Sequence, residues 1–324
     1  MSAPTLAGRP WMRGFGADGP QVSAICMGGA QLGSMPDFFG QEVTEADAID
    51  IVHRVFQSPI RFLDTSNGYG HGRSEVRIGK AIEQAGGLPP DFVISTKVDA
   101  KDGDYSGRRV RTSVAESMER LRIGRLPVVF LHDPEYFDYE EIMGGGAIDT
   151  LAAMKAGGEI GLLGLAGGDT RELRRYFDLG VFDALLVHNR WTLVDRSADQ
   201  LINDAARQGL AVMNAAALGG GLLTGDGRSR TTYAYRPAAA AVLQSAPRMA
   251  ALCADYGTDL QTAALQFSLR DPRISSTVVG FTHAATLART LASAQADLPD
   301  AFWNELEDLV PDPKYWLDAE PASQ

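Results

Sequence analysis

A carboxylate, a phenol, an ammonium and an imidazole stand just past the ends of three apolar runs in this chain. Phe62-Leu63 leads into Asp64-Thr65-Ser66-Asn67-Gly68-Tyr69-Gly70, Phe92-Val93-Ile94-Ser95-Thr96 stops at Lys97, and Val128-Val129-Phe130-Leu131 stops at His132. A free tyrosine titrates near 10, so at neutral pH its hydroxyl is a poor acid and its phenolate is scarce. A neighbouring Lys97 ammonium would favour the phenolate, and lowering the phenol by about 2–3 pH units takes roughly 3–4 kcal/mol. Asp64 would pair with Lys97 and hold it, while His132 would donate to a substrate oxygen. The set suits moving one proton onto or off a carbonyl or carbinol oxygen. It includes no nucleophile elbow and no metal-ligand cage, so no metal is expected. A nicotinamide hydride carrier is the natural partner for the electrons.

Such residues meet only if the runs that carry them lie side by side. Strand-like runs fall at Val22–Gly28, Arg61–Thr65, Phe92–Lys97, Val128–His132, Leu162–Ala166, Ala184–His188, Ala211–Ala216 and Ser276–Gly280. They are continuous rather than alternating, as parallel strands buried on both faces require. Helical patterns separate them: Thr44–Gln57, Gly72–Ala85, Arg108–Arg122, Tyr139–Ala156, Thr170–Asp178, Ser197–Gln208, Ala240–Asp255, Thr258–Leu269 and Ala284–Ala296. This alternation predicts an α/β chain folded as a (β/α)₈ TIM barrel, with a doubly wound open sheet as the alternative. The four residues would then share the C-terminal rim, where barrels keep their chemistry. A turn within Arg13–Gln21 predicts an N-terminal hairpin capping the barrel bottom, and Gly219–Pro237 forms a long loop after strand seven. The whole of 1–324 reads as one domain.

Composition narrows the partners. The chain has 324 residues, is 45% hydrophobic and 22% charged, and carries a net charge of −11. No basic field is available to release phosphate counterions, which argues against nucleic acid or an anionic membrane. No apolar run reaches the roughly 20 residues of a membrane span. The small polar N-terminus is no secretory signal. The only two cysteines, Cys26 and Cys253, read as buried free thiols, so a cytoplasmic setting is expected.

A dinucleotide site of the GxGxxG type does not follow the first strand. Instead Leu218-Gly219-Gly220-Gly221-Leu222 follows strand seven, and Gly280-Phe281-Thr282 follows strand eight and leads into a helix. Free amides in glycine turns and at a helix N-terminus suit a pyrophosphate, and barrels often place phosphates there.

With these pieces together, the chain from about Val22 to Leu298 resembles the aldo-keto reductases. The segment Asp64 to Gly70 followed by Gly72-Arg73-Ser74-Glu75, then Ser95-Thr96-Lys97, then Leu131-His132, is similar to that family's motifs in the family's order. The resemblance implies that Tyr69 exchanges the proton, that Lys97 and Asp64 tune it, and that His132 orients the substrate oxygen. It also implies NAD or NADP lying extended across the rim. His132-Asp133-Pro134, Arg190-Trp191-Thr192-Leu193-Val194-Asp195 and Asn214 to Leu222 resemble the sugar-dehydrogenase branch of the D-threo-aldose 1-dehydrogenase type, which oxidises an aldose at C1 to a lactone.

Departures shift particular contacts. Strand five ends Ala166-Gly167-Gly168-Asp169 where the family carries Ser-Asn, so the nicotinamide carboxamide falls to Asp169, or to His188 and Asn189. An aromatic that commonly stacks on nicotinamide is replaced by Ala215. Leu218, Gly219, Gly220, Leu222, Gly280, Phe281, Thr282, Thr286 and Arg289 are the remaining candidates for cofactor contact. The usual cations near Gly280 and Thr286 are missing, which favours NAD, with Arg289, Arg228 and Arg230 as possible holders of a 2′-phosphate. Phe38, Phe39, Trp191 and Tyr235 are candidates to line the pocket for a small sugar or carbonyl substrate. The oligomeric state has no signature. The alternative functions are an NAD(P)H-dependent aldehyde or ketone reductase with Tyr69 as acid, and a cofactor-sensing regulatory barrel with little turnover.

Overall fold

The computed structural model describes residues 6, 8–225 and 231–319; Arg228 and Arg230 lie outside the described residues. Eight parallel strands close into a barrel in chain order: β1 (Ile25–Gly28), β2 (Phe62–Asp64), β3 (Val93–Val98), β4 (Leu126–His132), β5 (Ile160–Gly167), β6 (Ala184–His188), β7 (Ala211–Ala215) and β8 (Ser276–Gly280), with β8 pairing back onto β1. The predicted architecture is therefore the observed one.

One predicted strand divides. The apolar run Val22–Gly28 breaks at Ala24. Gln21–Ser23 pairs antiparallel with Met12–Gly14 as the N-terminal hairpin, and only Ile25–Gly28 joins the barrel. The hairpin plugs the barrel bottom: Phe15 is fully buried against Phe62, ring centroids 5.3 Å apart and edge-on. Arg13 ties it down by donating to the carbonyls of Leu269 and Ile274 at 2.7 Å each.

The helices sit outside as a ring. Helix α1 (Glu45–Gln57) starts where the Thr44 hydroxyl accepts from the Asp47 amide, and α2 (Arg73–Gln84) and α3 (Gly107–Leu121) follow. The predicted helix Tyr139–Ala156 is two pieces, Tyr139–Gly144 and Ala147–Ala156, because Gly146 takes φ 72° between them. The long loop after β7 holds a small hairpin, Thr232–Tyr233 with Arg236–Pro237. A C-terminal helix, Asp300–Glu307, buries Phe302 and Leu306. The predicted helix at Ala284 spans Ala284–Ala294.

Alternation along the strands explains who reaches the mouth. Successive side chains point to opposite faces, and Phe62, Val93, Val128, Phe130, Ala184, Leu186, Ala211 and Met213 pack together inside the barrel. Stepping by two from these residues reaches Asp64 on β2, Ser95 and Lys97 on β3, His132 on β4, His188 on β6 and Ala215 on β7. The interior column of each strand thus ends at the rim on the residue whose chemistry matters.

Candidate active site

Lys97 is the hub of the rim. Its ammonium donates to Asp64 Oδ2 at 2.6 Å, to the Thr65 carbonyl at 2.7 Å and to the Tyr69 hydroxyl at 3.2 Å. Three acceptors match its three protons. Lys97 and Asp64 are both buried, and Ser95 donates to the other Asp64 oxygen at 2.8 Å. Burial opposes the Lys97 charge, but the Asp64 carboxylate and the Tyr69 oxygen outweigh it and hold the ammonium above its ordinary value.

The Tyr69 phenol departs from expectation. Burial pushes it above the usual tyrosine value, and Lys97 offsets only part of that rise. Desolvation of a phenolate exceeds what a single ammonium returns, because the same ammonium already serves Asp64. At neutral pH the phenol is protonated.

The turn that presents Tyr69 is clamped from several sides. Ser74 donates to the Gly29 carbonyl at 2.7 Å and lies 2.8 Å from the Thr65 hydroxyl. Glu75, fully buried, accepts from Thr96 at 2.6 Å and from Arg120 at 3.2 Å. These bonds explain why Ser and Glu recur behind the tyrosine in the sequence motif: they fix α2 to β3 and so fix the turn. Gly70 adopts φ 60°, and a Cβ there would run into the Gly33 carbonyl. Gly70→Ala is expected to destabilise the fold by about 1–3 kcal/mol, read as a lowered midpoint in urea; an unchanged midpoint would show that the turn yields freely.

His132 meets Tyr69 edge-on with ring centroids 5.6 Å apart. Its Nδ1 lies 2.6 Å from Asp99 Oδ1 and 3.2 Å from the Ser66 hydroxyl. Asp99 also accepts from the Ser66 hydroxyl and, at 2.7 Å, from the Gly68 amide. Burial works against a charged His132, but Asp133 and Asp99 outweigh it and hold the imidazole above its ordinary value. Neither Asp99 nor Ser66 was singled out from the sequence. The available signal was Asp99 standing two residues past Lys97, in a run of turn residues where an aspartate is usually solvated.

A family model described as "Aldo/keto reductase family" matches residues 24–311. The chain belongs to the aldo/keto reductase family. An L-galactose dehydrogenase from Arabidopsis thaliana is 30% identical over 87% of this chain and 87% of its own length. A D-threo-aldose 1-dehydrogenase from a Pseudomonas species is 26% identical over 92% of this chain and 97% of its own. The fold also matches a solved aldo-keto reductase from Bacillus halodurans (holo form), TM-score 0.77 at 19% identity, over 96% of this chain and 100% of that one. This aldo/keto reductase is an NAD(P)-dependent oxidoreductase. Among the described residues no helix is long and apolar enough to cross a membrane.

On the far side of this reductase's rim the interior column becomes small: Gly28, Ala215 and Gly280 end β1, β7 and β8. A Cβ on Gly280 would fall 2.7 Å from Gln31 Oε1. Gly219, Gly220 and Gly221 all take positive φ, at 61°, 66° and 101°, so the turn after β7 requires its glycines. Thr286 donates to the His283 carbonyl at 2.6 Å and starts the helix after β8. The Thr282 hydroxyl accepts from Gln41 at 3.2 Å, and Arg289 pairs with Asp259 at 3.3 Å on the surface. Phe281 is wholly buried in the core, and Leu222 packs into the apolar layer beneath its loop, so neither side chain faces the rim. Leu218 is half-buried beside that same layer.

At β5 and β6 a polar cluster stands where sequence left two choices. Asp169 caps the helix that follows it, accepting from the amides of Arg171 and Glu172 at 3.0 and 3.2 Å. His188 lies 3.6 Å from Asp133, and the Asn189 amide is 3.2 Å from His188 Nδ1. Gly168 has no room for a Cβ beside Arg190 and His188, and its amide donates to Glu135 instead. Asp133 Oδ1, Glu135 Oε2 and Asn189 Oδ1 are buried without a partner. Asp133, Glu135 and His188 bring one ligand-type atom each within 4.8 Å, a grouping that sequence spacing did not reveal.

The predicted pocket aromatics separate. Phe38 and Phe39 lie edge-on to Tyr235, centroids 6.4 and 6.1 Å apart, and so bring the loops after β1 and β7 together. Trp191 does not join them: it is buried against Phe267 at 5.1 Å and beneath Arg273.

Proposed function

We propose that this reductase oxidises an aldose at C1 to a lactone, with NAD as hydride acceptor and Tyr69 as proton acceptor. The observation that supports it most is the buried Asp64–Lys97 pair directing an ammonium proton at the Tyr69 hydroxyl from 3.2 Å. The names of the relatives, L-galactose dehydrogenase and D-threo-aldose 1-dehydrogenase, supply the substrate class. The whole chain is taken as one working unit.

In this reading the anomeric hydroxyl sits between Tyr69 and His132. His132 donates a hydrogen bond to the oxygen and fixes its direction. Tyr69, as phenolate, takes the hydroxyl proton, and Lys97 stabilises the negative oxygen before transfer. Nicotinamide, when bound, supplies the hydride acceptor. The small residues Gly28, Ala215 and Gly280 leave room for it on the rim. The orphaned acceptors of Asn189 and Glu135 suit its amide N–H groups, and the glycine turn after β7 and the helix after Thr282 suit the pyrophosphate. His188 and Asn189 are preferred over Asp169, whose carboxylate is spent on a helix cap. Phe38, Phe39 and Tyr235 cover the substrate; Trp191 is left out of the pocket.

Two outcomes follow for the cofactor. Arg289 is the sole Lys or Arg between Gly280 and Ala294, and it is paired with Asp259. NAD should therefore exceed NADP in kcat/KM by about tenfold or more, the weight of one missing charge-assisted bond of roughly 1.5–3 kcal/mol. Absorbance at 340 nm with each cofactor decides it, and equal or greater efficiency with NADP contradicts the preference.

The raised phenol favours a second reading, reduction of an aldehyde or ketone with protonated Tyr69 as the acid. The same panel run with NADH and aldehydes, pyridoxal included, distinguishes the two.

A further inference from the structure

We propose that Asp99 is a positioning residue that orients His132 and keeps it protonated, so that the substrate oxygen faces an imidazolium. The inference rests on the proposed oxidoreductase reading for its catalytic consequence, but its structural core stands apart from any substrate.

The geometry is that of a carboxylate gripping one edge of a ring. Asp99 Oδ1 lies 2.6 Å from His132 Nδ1. Its second oxygen is occupied by the Ser66 hydroxyl and by the Gly68 amide, the latter at 2.7 Å. Ser66 also stands 3.2 Å from Nδ1. A carboxylate with both oxygens tied down cannot swing away, so the ring it holds cannot turn. Asp99 and Ser66 come from the ends of different strands, β3 and β2, and the ring from β4, so the triangle also locks three rim segments together.

The consequence is chemical. A neutral imidazole offers one N–H, and a carboxylate at Nδ1 requires the proton there. Nε2 then carries a proton only if the ring is cationic. A ring meant to donate from Nε2 to a substrate oxygen therefore needs the charge that an adjacent carboxylate stabilises. The other charges around the ring act in both directions. Asp133 Oδ2 stands 3.7 Å from Nε2 and favours the cation. Lys97 disfavours it, and Tyr69 faces the ring as a neutral phenol. His188, on β6, reaches Asp133 from its far side at 3.6 Å and shares its charge. With Asp133 divided between two imidazoles, the undivided carboxylate on His132 is Asp99.

Nitrogen-15 NMR of the histidine rings, with His132→Gln to assign the signal among five histidines, tests this without turnover. In the wild-type protein His132 is expected to titrate above the ordinary histidine value with Nδ1 protonated throughout. In Asp99→Asn, which keeps the shape and an acceptor for Gly68, the titration should fall by about 1–3 pH units. The pH limb of kcat/KM that reports His132 should move with it, with a loss on the order of tenfold to hundredfold, less than removal of a group that itself transfers the proton. A wild-type His132 that titrates at or below the ordinary value overturns the proposal even if Asp99→Asn does not fold. So does an Asp99→Asn titration that stays in place, even if activity falls, since the Gly68 bond alone would then explain the loss. A shifted titration in a protein inert towards sugars and aldehydes would instead sink the oxidoreductase reading and leave the Asp99–His132 pair standing.

Discussion

Replacing Tyr69 with Phe is expected to lower kcat by about 10²–10⁴, the range for losing a positioned general acid or base, while cofactor binding is unchanged. The phenol ring packs against His132 and Lys97 through its faces and edge, and Phe keeps that surface. Only the hydroxyl, 3.2 Å from Lys97, is removed. The pH profile sharpens the expectation. Oxidation needs the phenolate, and burial has pushed the phenol above its ordinary value. Wild-type oxidation should therefore keep rising into the alkaline range, whereas reduction, which needs the phenol, should hold level over the same span. In Tyr69→Phe both slopes should vanish with the activity. Turnover at the wild-type rate, with cofactor quenching of the tryptophan fluorescence intact, would remove Tyr69 from the mechanism.

The second large effect falls on stability and activity together. Lys97→Met leaves Asp64 buried with its strongest partner gone. Breaking such a pair from one side costs about 3–5 kcal/mol, whereas removing both charges is often nearly neutral. Lys97→Met should thus unfold at markedly lower urea than the wild type, and Asp64→Asn with Lys97→Met should recover much of that loss. Neither variant should regain turnover, because the proton donor to Tyr69 is absent from both. A single variant as stable as the wild type would mean that the site tolerates the lone carboxylate through water. A double variant with restored activity would mean that the pair is architectural.

The catalytic side of the rim was legible in the sequence because each key residue ends an interior column of a short strand. Phe62–Asp64, Ser95–Lys97 and Phe130–His132 carry their own address: apolar run, step of two, ionisable group. Asp99 carried no such address, since its position past β3 makes it look like one more charge in Asp99-Ala100-Lys101-Asp102. Only the closed barrel brings it under His132 and Ser66. Hydrophobic patterning likewise could not see the break at Ala24, because a hairpin strand and a barrel strand are equally apolar when both are buried. Trp191 looked like a rim aromatic by its place after β6; its loop turns outward, and Asn214 holds the Trp191 carbonyl at 2.9 Å. The sign of the Tyr69 displacement was misjudged for a physical reason. Counting the ammonium and not the burial makes Lys97 decisive, whereas in the folded site desolvation is the larger effect.

The claim at the centre is that hydride leaves C1 of an aldose for the cofactor while Tyr69 takes the hydroxyl proton. The most direct test follows a label: L-fucose, L-galactose and D-arabinose carrying deuterium at C1 are incubated with the enzyme and NAD, and the reduced cofactor and sugar product are examined by mass spectrometry. The account predicts one deuterium on the reduced nicotinamide and a lactone lacking it, with neither formed by Tyr69→Phe. Unlabelled cofactor and unchanged sugar across the panel, with aldehydes consuming NADH under the same conditions, would contradict aldose oxidation and leave a carbonyl reductase in its place.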